Sequence, residues 1–155
     1  MVGIGYAIYN KRIHINLKMV FTIIDDCGLT RYLYSALIKD VDKDSRVYTY
    51  SSIKLFLEDL HNSEFKMMLP DYILTDSGAF FINALDLIDA IDEFKSKYKY
   101  ASGKLATYIV SMNMDIPSLV LQLKTKQSFK GFLIKPLRED HIKTIINKRE
   151  KLLSI

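Results

Sequence analysis

Short apolar runs alternate along the chain with stretches whose apolar residues recur at helical spacing. The runs are Val20–Ile24, Arg46–Tyr50, Tyr72–Thr75, Thr107–Val110 and Gly131–Ile134. They have strand length, and several are almost continuously apolar, as in strands covered on both faces. The intervening stretches keep their apolar residues on one side. Leu29–Ile38 carries Tyr32, Leu33, Ala36 and Leu37, and Ser52–His61 carries Ile53, Phe56, Leu57 and Leu60. Ala84–Phe94 carries Leu85, Leu87, Ile88 and Ile91, Ile116–Leu123 follows, and Glu139–Leu152 carries Ile142, Ile145 and Ile146. Ser52 is placed to cap the second of these helices. A strand followed by a helix, five times over, predicts an α/β fold: a parallel sheet with helices on both faces, because parallel neighbours need long crossovers. Upstream, Gly3–Leu17 alternates in part and reads as a strand or a hairpin turning near Asn10-Lys11.

Composition narrows the class. The 155 residues make one domain with a real core. With 49% hydrophobic and 26% charged residues the chain is not disordered. A single Cys excludes an internal disulfide and a Cys-rich zinc module, and three scattered His argue against a His-based metal site. No apolar run reaches the ~20 residues of a membrane span. The first 18 residues lack the apolar core and cleavage site of a secretory signal. The cytoplasm is therefore the expected compartment, with no membrane partner. The net charge of +4 is carried mostly by Lys11, Arg12 and Lys18. Elsewhere bases sit beside acids, so no direct nucleic-acid contact is expected. Gly3-Ile4-Gly5 lacks the third glycine and preceding strand of a dinucleotide loop.

In an open parallel sheet the crevice lies beyond the carboxyl ends of the strands. The first run ends in Asp25-Asp26, the third in Asp76, the fourth in Ser111 and the fifth in Lys135-Pro136. Three carboxylates on one edge repel one another, and a hard divalent cation such as Mg²⁺ relieves that. A lysine and a hydroxyl opposite the metal suit the remaining oxygens of a phosphoryl group, and a carboxylate there can become an aspartyl phosphate.

The stretches VFTIIDD (20–26), PDYILTD (70–76), YIVS (108–111) and GFLIKP (131–136), in that order, each end a predicted strand. In them the chain resembles a receiver domain of a two-component response regulator over residues 19–150. The resemblance implies a flavodoxin-like (βα)5 fold with strand order 2-1-3-4-5. It divides the chain into an extension, 1–18, and a receiver domain, 19–155. Three readings of the extension stay open: an extra strand, an upstream start or a non-native leader. The resemblance makes Asp76 the phosphoacceptor and assigns Mg²⁺ to Asp26 directly, Asp25 through water, Asp76 and the backbone carbonyl of Gly78. It gives Ser111 and Lys135 to the phosphoryl group and makes Phe132 the aromatic switch. It also places a frequent cis bond at Lys135-Pro136, and makes Gly78 and Asn113 influences on the lifetime of the phosphorylated form. The implied donor is a sensor histidine kinase or a histidine phosphotransfer protein. The implied output is a protein target on the face of the fourth helix, fifth strand and fifth helix, or a phosphorylation-dependent homodimer. With only a few residues after the last predicted helix, no DNA-binding output domain is expected.

The chain departs from the family at Ala79 and Phe80, where Met-Pro is usual, and at Ala84, where Gly is usual. Met112 follows Ser111 where a small residue is usual, and is expected to narrow access for a phosphodonor. Lys126–Gly131 replaces a small-residue turn. A degenerate receiver serving as a phosphorylation-independent interaction or dimerisation module is the alternative reading. A haloacid-type phosphatase needs Asp-x-Asp after the first strand, which Asp25-Asp26-Cys27-Gly28 does not supply. Taken singly, Asp25-Asp26 would be a helix cap and Asp76 a turn residue. Cys27 reads as a small helix-start residue rather than a redox thiol, Asp71 as a surface residue, and the three His as surface or packing residues.

Overall fold

The computed structural model describes residues 18–62, 69–78, 82–112 and 117–153. The strand or hairpin expected over 3–17, and Ala79, Phe80 and Asn113, lie outside them. The elements are β1 (Val20–Ile24), α1 (Gly28–Val41), β2 (Arg46–Tyr50), α2 (Ile53–Leu60), β3 (Tyr72–Asp76), α3 (Ile82–Lys97), β4 (Ala106–Ser111), α4 (Pro117–Lys124), β5 (Phe129–Ile134) and α5 (Glu139–Leu153), with a 3₁₀ turn at Lys99–Ala101. The strands are all parallel in the order β2-β1-β3-β4-β5. That is the predicted five-stranded, flavodoxin-like arrangement, with β5 starting two residues earlier than its apolar run suggested.

Successive side chains of a strand point to opposite faces, and the core divides accordingly. Phe21, Ile23, Tyr72, Leu74, Tyr108 and Val110 pack with Ile38 of α1 and Ile142, Ile145 and Ile146 of α5. Ile24 and Ile73 face the other way, onto Phe56 and Leu60 of α2 and Leu87 and Ile91 of α3. Ile109 meets Ala84 and Ile88 of α3 and Leu123 of α4. Both faces of β1, β3 and β4 are covered, which is why these strands read as nearly continuous apolar runs. β2 is an edge strand, and only partly buried.

Ser52 is the N-cap of α2, its hydroxyl accepting from Leu55 N–H at 3.2 Å. Ser52→Ala is expected to cost about 1 kcal/mol, read as a lower urea midpoint with an unchanged slope. The turn before β5 is held from α3: Asp92 accepts from the N–H groups of Gln127 and Ser128 at 3.0 and 2.8 Å. In β5, Lys130 bulges out of register between Phe129 and Gly131. Gly131 takes φ +153° there, a conformation that side chains disfavour.

Candidate functional site

Asp25, Asp26, Asp76, Gly78, Ser111 and Lys135 stand at the carboxyl edge of the sheet, at or just beyond the ends of β1, β3, β4 and β5. Asp25 follows β1 directly, and its N–H donates to Tyr50 O at 3.1 Å. Its side chain is buried, at 6% exposure. One carboxylate oxygen accepts from Cys27 N–H at 2.8 Å, which turns the chain into α1. Arg31, one turn into α1, donates from one guanidinium nitrogen to the carbonyl oxygens of Asp25 (2.7 Å) and Asp26 (3.1 Å). The backbone of the acidic pair is thus clamped, and the Asp26 side chain is left exposed.

Asp76 ends β3. Its Oδ2 accepts from Gly78 N–H at 3.1 Å, and its Oδ1 is ion-paired with the Lys135 ammonium. Gly78 sits at φ +62°, a left-handed conformation that glycine adopts without penalty. Its carbonyl accepts from the Ser77 hydroxyl at 3.3 Å. Backbone bonds tie the neighbouring loops together: Ser77 N–H to Val110 O at 3.2 Å, and Lys135 N–H to Ser111 O at 3.0 Å. Ser111 is buried at the end of β4, and the Lys135-Pro136 bond is cis.

The charges at this edge act on one another. Burial pushes the Asp25 carboxyl up; the Cys27 hydrogen bond opposes this, Asp76 adds to it, Lys135 opposes it and Asp26 adds to it. Burial alone would pull the Lys135 ammonium down. The hydrogen bond and charge of Asp76, together with the charge of Asp25, outweigh it, so its pKa lies above the ordinary value. Burial raises the Tyr34 phenol against the opposing influence of Lys135 and of a hydrogen bond with the Leu137 backbone. Tyr34 of α1 therefore stands beside the same ion pair.

Four of the residues expected at the site, Asp25, Asp26, Asp76 and Lys135, thus form one electrostatic unit, with Gly78 and Ser111 bonded to it through the backbone. Phe132 lies elsewhere, packed against the α3–α4 side of the core with its ring edge-on to Phe129 at 5.2 Å. Met112, expected to narrow the site, is 79% exposed. Among the described residues no three carboxylate, imidazole or thiol groups already stand as a ligand set for one ion. The donor chemistry nevertheless suits Mg²⁺, since Asp25, Asp26, Asp76 and the Gly78 carbonyl offer hard oxygens only. An open cleft of about 880 Å³ extends from these residues past Ser52 and Leu57 to His61.

Arg31 and Tyr34 were not singled out from the sequence as parts of this edge. Asp71 was expected at the surface, and that is corrected. It is 2% exposed, accepts from Val20 N–H at 2.9 Å, and pairs with Lys104 at 2.6 Å and Arg149 at 2.7 Å. It lies just before β3, at the amino edge of the sheet, and its partners are a strand start, a turn and a helix remote in sequence. His61, expected to be a surface or packing residue, is exposed with its ring edge-on to Phe94.

No protein-family profile matches the chain, and no curated protein matches it. Solved structures do. A two-component response regulator from Cytophaga hutchinsonii is 20% identical with a TM-score of 0.68, covering 84% of this chain and 96% of that one. The Vibrio cholerae chemotaxis protein CheY4 is 14% identical with a TM-score of 0.62, covering 84% and 98%. A pilus assembly protein (cpaE) from Burkholderia thailandensis, described as putative, is 12% identical with a TM-score of 0.62, covering 86% and 98%. The chain has the fold of the CheY-like receiver domains of response regulators. At these identities the likeness establishes the fold alone. No described helix is long and apolar enough to cross a membrane.

Proposed function

We propose that the protein is a phosphoryl-accepting switch of a two-component phosphorelay, with Asp76 as the acceptor. The observation that carries this reading is the Asp76–Lys135 ion pair beside the buried Asp25. In the reaction, a carboxylate oxygen of Asp76 attacks the phosphorus of a phosphohistidine in line. The new O–P bond forms as the P–N bond breaks, and the imidazole leaves with the electron pair. Asp25, Asp26, Asp76 and the Gly78 carbonyl hold Mg²⁺, which when bound neutralises charge on the transferring group. Lys135 transfers its pairing from the carboxylate to the phosphoryl oxygens, and the Ser111 hydroxyl turns to bond another. Movement of Ser111, with Phe132 following, shifts the population of the α4-β5-α5 surface towards the state that binds a downstream protein or a second copy. The donor is a sensor histidine kinase or a histidine phosphotransfer protein. The protein is a signalling module rather than a metabolic enzyme.

With Mg²⁺ and either acetyl phosphate or a phosphorylated kinase, intact-mass analysis is expected to show a gain of one phosphoryl group. Asp76→Asn is expected to abolish it. No gain from either donor, together with no Mg²⁺ binding by calorimetry, would overturn the proposal. A second reading, a degenerate receiver acting as a constitutive interaction module, draws support from the lack of a ready ligand set among the described residues. On that reading Asp76→Asn binds the downstream partner as the unmodified protein does, and phosphodonors change nothing.

A further inference from the structure

Positive charge gathers at the amino edge of the sheet. Residues 95–104, Lys95-Ser96-Lys97-Tyr98-Lys99-Tyr100-Ala101-Ser102-Gly103-Lys104, hold four lysines and no acid. They run from the last turn of α3 through the 3₁₀ turn towards β4, at the sheet edge opposite Asp76 and Lys135. Lys97 is paired with Glu93 at 2.9 Å and Lys104 with Asp71 at 2.6 Å. Lys95 and Lys99 have no ion pair among the described residues, and neither does Lys130 on the β5 bulge. Burial pulls the Lys95 ammonium's pKa down, the charge of Lys130 adds to this and that of Asp92 opposes it. Asp92 offsets the repulsion only in part, and its carboxylate is already engaged by the N–H groups of Gln127 and Ser128, so an added anion would relieve what remains.

Aromatic rings stand among these cations. Phe94 is buried, Tyr98 packs on it with ring centroids 4.8 Å apart, and Tyr100 lies 5.4 Å from Tyr98 and edge-on to Phe94 at 6.2 Å. Tyr98 and Tyr100 are 39% and 44% exposed. They present aromatic surface already fixed from behind, so little ordering is needed when a flat ligand settles on it. An acidic peptide would satisfy the lysines and leave the rings in water. In duplex DNA the bases are already stacked on one another. An unpaired strand supplies free base faces and a phosphate for each ammonium.

We infer that this surface binds single-stranded nucleic acid, with bases stacked on Tyr98 and Tyr100 and backbone phosphates paired with Lys95, Lys99 and Lys130. It is remote from Asp76, so the inference stands or falls independently of the phosphorelay reading. The test is fluorescence anisotropy of the full chain with a fluorescein-labelled single-stranded oligothymidylate. Binding is expected, with log K falling against log salt at a slope of about −2, from three phosphates at about −0.7 each. Lys99→Ala with Lys130→Ala should reduce the slope to about −0.7. Tyr100→Leu keeps apolar bulk but loses the ring, and should weaken binding about tenfold. Tyr98→Leu serves as a second variant, and the urea midpoint of each reports its folding. Absence of binding at low salt, binding indifferent to both tyrosine variants, or equal affinity for the matched duplex would each overturn the assignment. Equally tight binding of polyglutamate would overturn it in favour of an acidic protein segment.

Discussion

Asp71→Ala is expected to lower the free energy of unfolding by about 3 kcal/mol, the lower end of the range for breaking a buried ion pair. The carboxylate is almost fully buried and serves three groups at once: Val20 N–H, the Lys104 ammonium and the Arg149 guanidinium. Alanine leaves the Val20 amide without this acceptor and two cations without their anion, in a place where water replaces it poorly. Lys104 is about one-third exposed and regains hydration, which keeps the loss below the top of the range. Asp71→Asn retains an acceptor oxygen for Val20 N–H and is expected to lose less. Urea denaturation at neutral pH measures both. A loss under about 1 kcal/mol for the alanine variant would mean that the cluster is no stronger than an exposed pair.

The contrast between Asp71 and Asp76 shows what the sequence could and could not say. Both are aspartates at the ends of the same apolar run, five positions apart. Asp76 was legible because its neighbours in function also end strands, and a parallel sheet brings strand ends together whatever the loops do. The alternation of strand and helix and the Ser52 cap follow from equally regular rules of periodicity and capping, while the sheet order came with the family resemblance. Periodicity misjudged α1, where Tyr32, Leu33 and Ala36, expected on its apolar side, are exposed. Asp71 was not legible, because its burial depends on Lys104 and Arg149, whose approach is fixed only once α5 is docked. Arg31 bonds backbone carbonyls rather than side chains, and such bonds leave no compositional trace. Its one sequence cue is its place one turn into the helix that follows the acidic pair. Tyr34 was not among the apolar residues expected on the face of that helix, although it packs against the core beside Leu37. The Lys95–Lys104 segment was visible as letters, but its meaning came from the rings of Phe94, Tyr98 and Tyr100 closing on one another and from Lys130 arriving on another strand.

The opposite edges of the sheet therefore use charge differently. At the amino edge Asp71 is enclosed by two cations, and its charge is committed to holding β1, the turn before β4 and α5 together. At the carboxyl edge acids outnumber bases: Lys135 answers only one of Asp25, Asp26 and Asp76. That imbalance costs stability and leaves the edge receptive to added positive charge, the usual trade between a stable fold and a working site.

Lys135→Met measures that imbalance directly, and is expected to lower stability by about 2 kcal/mol at neutral pH, between the values for exposed and buried pairs. Both partners keep about a quarter of their surface in water, which rules out the full buried-pair penalty. The pKa of Lys135 is raised in the folded protein, so its contribution is fully present below the unfolded value of 10.5 and is lost as pH rises through the folded one. Asp25 behaves in the opposite sense to an ordinary paired acid. Its pKa lies above 3.8, mainly through burial, so its charge destabilises the fold at neutral pH and the penalty disappears as pH falls through the folded pKa. Lys135 is one of the influences restraining that rise, and methionine removes it. The stability gap between variant and parent should therefore narrow from neutral pH towards the acid pH at which Asp25 takes up its proton. Mg²⁺ at about 100 times its Kd should add about 2.7 kcal/mol to whichever protein binds it. On the reading proposed here it stabilises both, because the carboxylates and the Gly78 carbonyl remain in place. Urea midpoints at the two pH values, with and without Mg²⁺, separate the contributions. A gap that stays constant with pH would mean that Lys135 does not act through Asp25, and no stabilisation by Mg²⁺ in either protein would remove the metal from the proposed site.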